Sequence, residues 1–346
     1  MSNGSAVTGP VPGPRRQLRF EPHQVALIVT WLVATSALTI MLLFGVRGTG
    51  QFVVARYALH GGYVAVLLWH LVKNGPSNER LSDWPPARSA WWHYAGAAVV
   101  LGIVLLFGLT GSGLPVLMLL LVVASFVLLV VWRRRVTART VVLGLAASAV
   151  AFLAGGMAFW RFGFVAKPML VFMLIFIPPM FVAGGLLVAR TGLGAVRLIE
   201  GRYGAAVRSF LRGCLLFVPL GLTNAAATSP NAMLAWVNRW WHPLSLPLWS
   251  GIVEEVVFRT VLITLCYALL RPAFRHSPAS AVIGAVLFSA VTFGLGHGRT
   301  VGQLVSTGLG YGLPMAVIFA RRDWEHAVGA HYMTNMVNTL MAFLRM

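Results

Sequence analysis

Two carboxylates stand side by side at Glu254 and Glu255, with Arg259 four residues beyond the second, in an otherwise apolar run that ends at Leu270. The chain holds 8 Asp and Glu among 346 residues, so acids inside such a run are informative. A charged side chain near the centre of a bilayer costs at least ~2.5–3.5 kcal/mol and persists where it has a partner or a task. Glu255 and Arg259 are spaced i, i+4 with the acid N-terminal, the favourable order for an ion pair along one helical face. Glu254 projects about 100° away around the same helix. One carboxylate is thus bound within its own helix, and its neighbour is free to face something else.

Further polar groups lie in the apolar runs downstream. Phe293-Gly-Leu-Gly-His297 closes one run, with Phe293 on the helical face of His297, where it would wall the imidazole's pocket. His331 and Asn335 in the last run are again i, i+4 and project from one face, with Asn338 about a turn further on. Taken singly, each has a plain structural reading as an interfacial histidine or a His and Asn that tie helices together. Taken together, a free carboxylate, two imidazoles and an amide fall within the last four runs. Such a set is suited to proton transfer where water is scarce.

Composition says what must position these residues. With 58% hydrophobic and 10% charged residues and a mean hydropathy of +0.80, the chain is excluded from the soluble globular class. A bilayer core of ~30 Å takes ~20 helical residues. Boundaries drawn at Arg and Lys give eleven candidate spans: 25–46, 52–72, 91–110, 114–132, 139–159, 168–189, 209–228, 248–270, 280–297, 301–320 and 325–345. The expected fold is an all-α, polytopic transmembrane helical bundle of 10 or 11 spans. The 27 Lys and Arg against 8 acids, a formal charge of +19, gather in alternate loops. That pattern reads as topology with the N-terminus inside, and not as nucleic-acid binding. Cys214 and Cys266 lack the spacing of a disulfide framework or a thiolate metal site.

Residues 1–24, rich in Gly, Pro and Ser, are expected to be a disordered cytoplasmic tail. Residues 25–189 form N-terminal transmembrane helices without an interior acid, 190–208 a cytoplasmic linker, and 209–346 a C-terminal bundle with every buried ionisable group. Trp240, Trp241 and Trp249, among Pro230, Pro243 and Pro247, predict an aromatic belt with a short re-entrant or surface helix before the eighth span. Asp323 and Glu325, beside Arg321 and Arg322, read as solvated surface charges. Counted from the ends drawn above, Glu254 and His331 lie ~9–10 Å deep from opposite faces, a mismatch of about 10 Å across the core.

The ordered triple EExxxR at 254–259, FxxxH at 293–297 and HxxxN at 331–335, each in an apolar helix, resembles the CPBP (ABI) family of intramembrane proteases. That family includes type II CAAX prenyl endopeptidases and bacterial bacteriocin-processing or self-immunity proteins. The resemblance covers about 244–345, the expected protease core, and leaves the first six spans as an extension. It implies Glu254 as the general base that activates water, His297 as its assistant, His331 and Asn335 as the oxyanion site, and Glu255 and Arg259 as support. A buried carboxylate that accepts a proton and N–H groups that meet an oxyanion are physically suited to those parts. The resemblance favours no cofactor, yet Glu254, His297 and His331 are also a set that could ligate zinc with one position open. The HExxH spacing is absent.

The implied substrate is a membrane-embedded peptide or a lipidated protein met in the lipid bilayer, with no nucleic-acid partner. A non-catalytic scaffold or self-immunity protein of the same family is the alternative. A secondary transporter is a third reading, disfavoured by the lack of an inverted repeat. Heavy Arg and Ala usage points to a GC-rich bacterial genome and hence to a bacterial plasma membrane.

Overall fold

A computed structural model describes residues 21–43, 50–74, 98, 102, 113–159, 167–227, 239–274, 276–298 and 300–344. Most of the expected tail, nearly all of the expected span at 91–110, and Pro230 lie outside the described residues. Among the described residues, six helices precede the site: α1 (Pro22–Leu43), α2 (Gly50–Asn74), α3 (Gly113–Val131), α4 (Ala138–Phe159), α5 (Lys167–Thr191) and α6 (Tyr203–Ala227). Four carry it. Helix α7 runs over 242–270 as His242–Glu255, a π-helical stretch Val256–Ile263 and Thr264–Leu270. Then come α8 (Pro278–His297), α9 (Val301–Arg321) and α10 (Trp324–Phe343).

No strand occurs among the described residues, and the protein is an all-α polytopic bundle. Helices α1, α2, α4, α5, α6, α8 and α9 are long and apolar enough to cross a membrane, and α3 contributes a shorter apolar helix at Val116–Val131. Val54, Val130 and Leu153 stay exposed on outward faces. Lipid tails, as apolar as Leu, accept such a surface.

The buried core is continuous from Leu27 in α1 to Ala330 in α10, so the N-terminal helices share it with the helices of the site. Trp249 joins them, its ring edge-on to Phe159 at 4.8 Å and its indole N–H donated to Met173 Sδ at 2.9 Å. It is an internal packing residue and not part of an aromatic belt, while Trp240 is exposed. Residues 242–247 form the first turns of α7, and the stretch 228–238, where the short re-entrant or surface helix is expected, lies outside the described residues. Pro243 sits in the opening turn, where its missing N–H has no partner to lose.

Helices α6 and α10 touch backbone to backbone. A Cβ at Gly213 would lie 2.1 Å from His326 O, and one at Gly329 would lie 2.1 Å from Phe210 O. Small residues let helices in a bilayer approach this closely and replace the absent hydrophobic drive with dispersion. Helices α8 and α9 form a hairpin of the same kind, with Gly294 against Gly308. Thr300 caps α9 by accepting the Gln303 N–H at 3.1 Å.

The turn between α9 and α10 overturns the reading of Asp323 and Glu325 as solvated. Asp323 is fully buried. Its carboxylate pairs with Arg197 at 2.6 Å, accepts from Ser209 Oγ at 3.0 Å, and caps α10 by accepting the His326 N–H at 2.9 Å. Glu325 accepts the Leu198 N–H at 2.9 Å, and Trp324 donates its N–H to Ala195 O at 2.8 Å. The segment 192–202 therefore docks on this turn and removes both acids from solvent. Gly194, at φ +72°, fits there because a side chain would meet Phe319 at 2.9 Å.

Candidate active site

Helix α7 presents its adjacent carboxylates to different partners. Glu255 is fully buried, with Oε2 3.1 Å from Arg259 Nε and Oε1 2.9 Å from His331 Nδ1. Arg259 is equally buried, donates Nη1–H to Ser289 Oγ at 3.0 Å, and lies over the Phe293 ring at 5.0 Å from its centroid. Ser289 in turn donates to Phe258 O at 3.1 Å. The π-helical turn begins directly after Glu255 and contains Arg259. Widened turns of this kind interrupt α-helices mostly in single stretches, frequently at functional sites.

Glu254 faces the other way. Its Oε2 lies 3.6 Å from His297 Nε2 and 3.7 Å from His331 Nε2, and has no hydrogen bond in place. The tautomers follow from the anchors. His297 donates Nδ1–H to Phe293 O at 2.8 Å, since a carbonyl only accepts. His331 donates Nδ1–H to Glu255 Oε1, while Glu255 Oε2 faces Arg259. In the neutral rings both Nε2 atoms carry lone pairs aimed at another acceptor. Glu254 Oε2 and the two Nε2 atoms thus converge at separations longer than a direct hydrogen bond. Glu254 and His297 keep 21% and 39% of their side chains accessible, against 3% for His331, so the group opens on their side.

Phe293 packs on His297 at 4.5 Å and on His331 at 5.8 Å between ring centroids, and so walls both imidazoles. Asn335 is one turn beyond His331 and donates Nδ2–H to Ser250 Oγ at 2.9 Å, which leaves its second N–H uncommitted. Asn338 is buried further along α10. The structure therefore gathers Glu254, Glu255, Arg259, Phe293, His297 and His331 into one contact group, sets Asn335 beside it through Ser250, and leaves Asn338 apart. Ser250 and Ser289 escaped the sequence reading. Each stands four residues before a residue that was singled out, Ser250 before Glu254 and Ser289 before Phe293, and that shared face was the available signal.

The depth mismatch disappears because α7 starts at His242, six residues before the drawn span. Glu254 then lies ~18 Å from the start of α7 and His331 ~10 Å from the start of α10, and the two depths together nearly cover a ~30 Å core. Tetrahedral zinc with ligands at ~2.0–2.1 Å sets donors ~3.3–3.4 Å apart, tighter than the 3.6 and 3.7 Å found. No group of three or more His, Cys, Asp or Glu side chains that could hold a metal ion occurs among the described residues.

Fold and site together define a polytopic helical membrane protein built around a buried carboxylate–imidazole cluster. Residues 236–337 match the family model described as type II CAAX prenyl endopeptidase Rce1-like. The matched segment, under a third of the chain, holds α7 to α10 up to Val337, so the part of the protein that carries the site is similar to CAAX-type intramembrane proteases. No curated protein and no solved structure matches the chain.

Proposed function

We propose that the protein hydrolyses a peptide bond in a membrane-embedded or lipid-anchored substrate, with Glu254 as the general base. The observation that carries this reading is the convergence of Glu254 Oε2, His297 Nε2 and His331 Nε2 at 3.6 and 3.7 Å with each ring's Nδ1 already committed. A water among these acceptors gives one proton towards Glu254 and its second hydrogen bond to His297, which orients an oxygen lone pair at the scissile carbonyl carbon. As the C–O bond forms, the carbonyl oxygen becomes an oxyanion that takes the uncommitted N–H of Asn335. His331 adds a second donor only when both of its nitrogens carry protons. The C–N bond then breaks, and the proton held by Glu254 passes to the leaving amine.

Glu255 and Arg259 act through His331, which they hold at one tautomer and one orientation. Phe293 covers the imidazoles on the inner side, and its apolar face keeps bulk water from competing for them.

The test compares membrane peptides released in cells that express the wild type and Glu254→Gln. Loss of a general base lowers turnover about 10²–10⁴-fold, so peptides released by the wild type should be missing from the variant at equal protein levels. Identical peptide profiles from the two, with wild-type protein present and folded, would sink the assignment and favour a non-catalytic scaffold.

A further inference from the structure

At the Arg-rich end of the bundle, away from the Glu/His cluster, a cavity of ≈590 Å³ opens between α1, α2, α6 and the α9–α10 turn. Five arginines line it: Arg197, Arg202, Arg208, Arg212 and Arg322. Two are matched by acids, Arg197 by Asp323 at 2.6 Å and Arg202 by Glu200 at 3.5 Å. Arg208, Arg212 and Arg322 have no acid within ion-pairing distance among the described residues. Basic residues placed only for topology need do no more than lie in exposed loops on one side of the membrane. Here separate elements bring five guanidinium groups around one concavity. The Arg322 guanidinium is held below its ordinary value by burial, with Asp323 opposing that and Arg212, Arg197 and Arg321 adding to it. The cavity is thus charged beyond what its own acids neutralise.

The lining also grades in character. Gln24 and Ser209 add polar groups to the arginines, whereas Leu71, Leu215 and Leu216 supply an apolar wall. Along α6 the lining runs from Ala205 to Leu216, about 16 Å at the helical rise, with Arg202 just before the helix. That length reaches from headgroup level into the hydrocarbon. Planar guanidinium forks match phosphate oxygens two at a time, and no lysine is among the lining residues. Basic pockets between membrane helices on the cytoplasmic side are known receivers of lipid headgroups.

We propose that this cavity binds a phosphate ester, with the headgroup of an anionic phospholipid as its source, the phosphate between Arg208, Arg212 and Arg322 and the glycerol and first acyl carbons against Leu215 and Leu216. The site lies apart from the proteolytic chemistry and stands whether or not that chemistry is as proposed. The cavity and the Glu/His cluster meet the same helix, since His326 lines the first and His331 belongs to the second. The five-residue interval turns them about 140° apart around α10.

The full-length protein in nanodiscs of phosphatidylcholine alone, and of phosphatidylcholine with phosphatidylglycerol, is melted and examined by native mass spectrometry for retained lipid. A ligand at about a hundredfold its Kd raises Tm by roughly 3–4 °C for a chain of this size. The wild type should show that rise with phosphatidylglycerol and retain the lipid on ionisation. Arg212→Gln/Arg322→Gln should lose most of the shift and about tenfold of the retained lipid, whereas Arg133→Gln/Arg134→Gln, on the exposed stretch between α3 and α4, should keep both. Should the double variant fail to fold, Arg208→Gln takes its place, its side chain being exposed and without an acid partner. A second arm adds millimolar inorganic phosphate or glycerol phosphate to the phosphatidylcholine discs. A shift there that the cavity variants abolish assigns the site to a soluble phosphate ester. A wild type that melts alike in all conditions, or a control variant that loses as much as the cavity variants, overturns the proposal.

Discussion

Glu254 and Glu255 are neighbours in sequence, yet their replacement by Gln should separate stability from activity. In Glu255→Gln the amide keeps the volume but removes the charge that neutralises Arg259, and both side chains are fully buried. Breaking a buried pair by removal of one partner costs about 3–5 kcal/mol, because the remaining charge stays in low dielectric. His331 Nδ1, 2.9 Å from the Glu255 carboxylate, loses its charged acceptor in the same step. With an unfolding entropy of ~2.1 cal/mol/K per residue, a chain of 346 residues carries about 0.7 kcal/mol per degree. The expected fall in Tm is therefore about 4–7 °C. Glu254→Gln removes a carboxylate whose Oε2 makes no hydrogen bond in the fold, so its Tm should stay within about 1 °C of wild type. The assay is thermal unfolding of both variants in one detergent, followed by tryptophan fluorescence, with a third variant, Glu255→Gln/Arg259→Met, to remove both charges. That double variant should regain part of the loss. The reasoning is refuted if Glu255→Gln melts within a degree of wild type, or if Glu254→Gln is destabilised as much as Glu255→Gln.

Three other outcomes follow from the geometry. Proteolytic activity should survive incubation with EDTA or 1,10-phenanthroline, given donor separations wider than a zinc site's; loss of activity on chelation, with recovery on adding stoichiometric zinc, would contradict this. Gly329→Ala should destabilise by about 1–3 kcal/mol or prevent folding, since its Cβ would lie 2.1 Å from Phe210 O and backbone has nowhere to yield. Gly61→Ala, where no atom lies within 4 Å, should be neutral in the same melt. Asp323 titrates below the ordinary carboxylate range. Burial pushes its carboxyl up, but the His326 side chain and N–H, together with Arg197, outweigh that and hold it down. A depressed folded pKa contributes stability above the unfolded value of ~3.9 and loses it as pH falls through the folded value. Wild-type Tm should thus drop below about pH 4, and Asp323→Asn should start lower and show less of that acid-side drop.

Much of the scaffold was legible because a bilayer constrains sequence strongly. Runs of about twenty apolar residues have few structural outcomes, and ten of the eleven runs coincide with helices among the described residues. The local half of the site was legible for the same reason. Spacing of four within one helix set Glu255 against Arg259 and turned Glu254 elsewhere, a matter of helical pitch alone. Helix ends were the weak point. Starting the eighth span at 248 left α7 six residues short and produced a depth mismatch that the structure removes, since the helix begins at His242 with Pro243 in its first turn, where proline is tolerated. Asp323 and Glu325 were misread because adjacent Arg321 and Arg322 looked like their solvated partners, whereas Asp323 pairs with Arg197, 126 residues away, and Glu325 takes a backbone N–H from the same docked segment.

By itself the sequence determined the solvent this protein lives in, the helical class that solvent imposes, and which residues share a face within one helix. Those are properties of composition and of a 3.6-residue pitch, and they need no knowledge of neighbours. Tertiary structure alone decided that His297 and His331 meet on one oxygen of Glu254, that Ser289 and Phe293 enclose Arg259, and that arginines from separate elements share a cavity. Each of these depends on how helices cross. The crossings are set by where glycine lets two backbones touch, as at Gly213 with Gly329 and at Gly294 with Gly308, and no spacing within a single helix encodes which pair will do so.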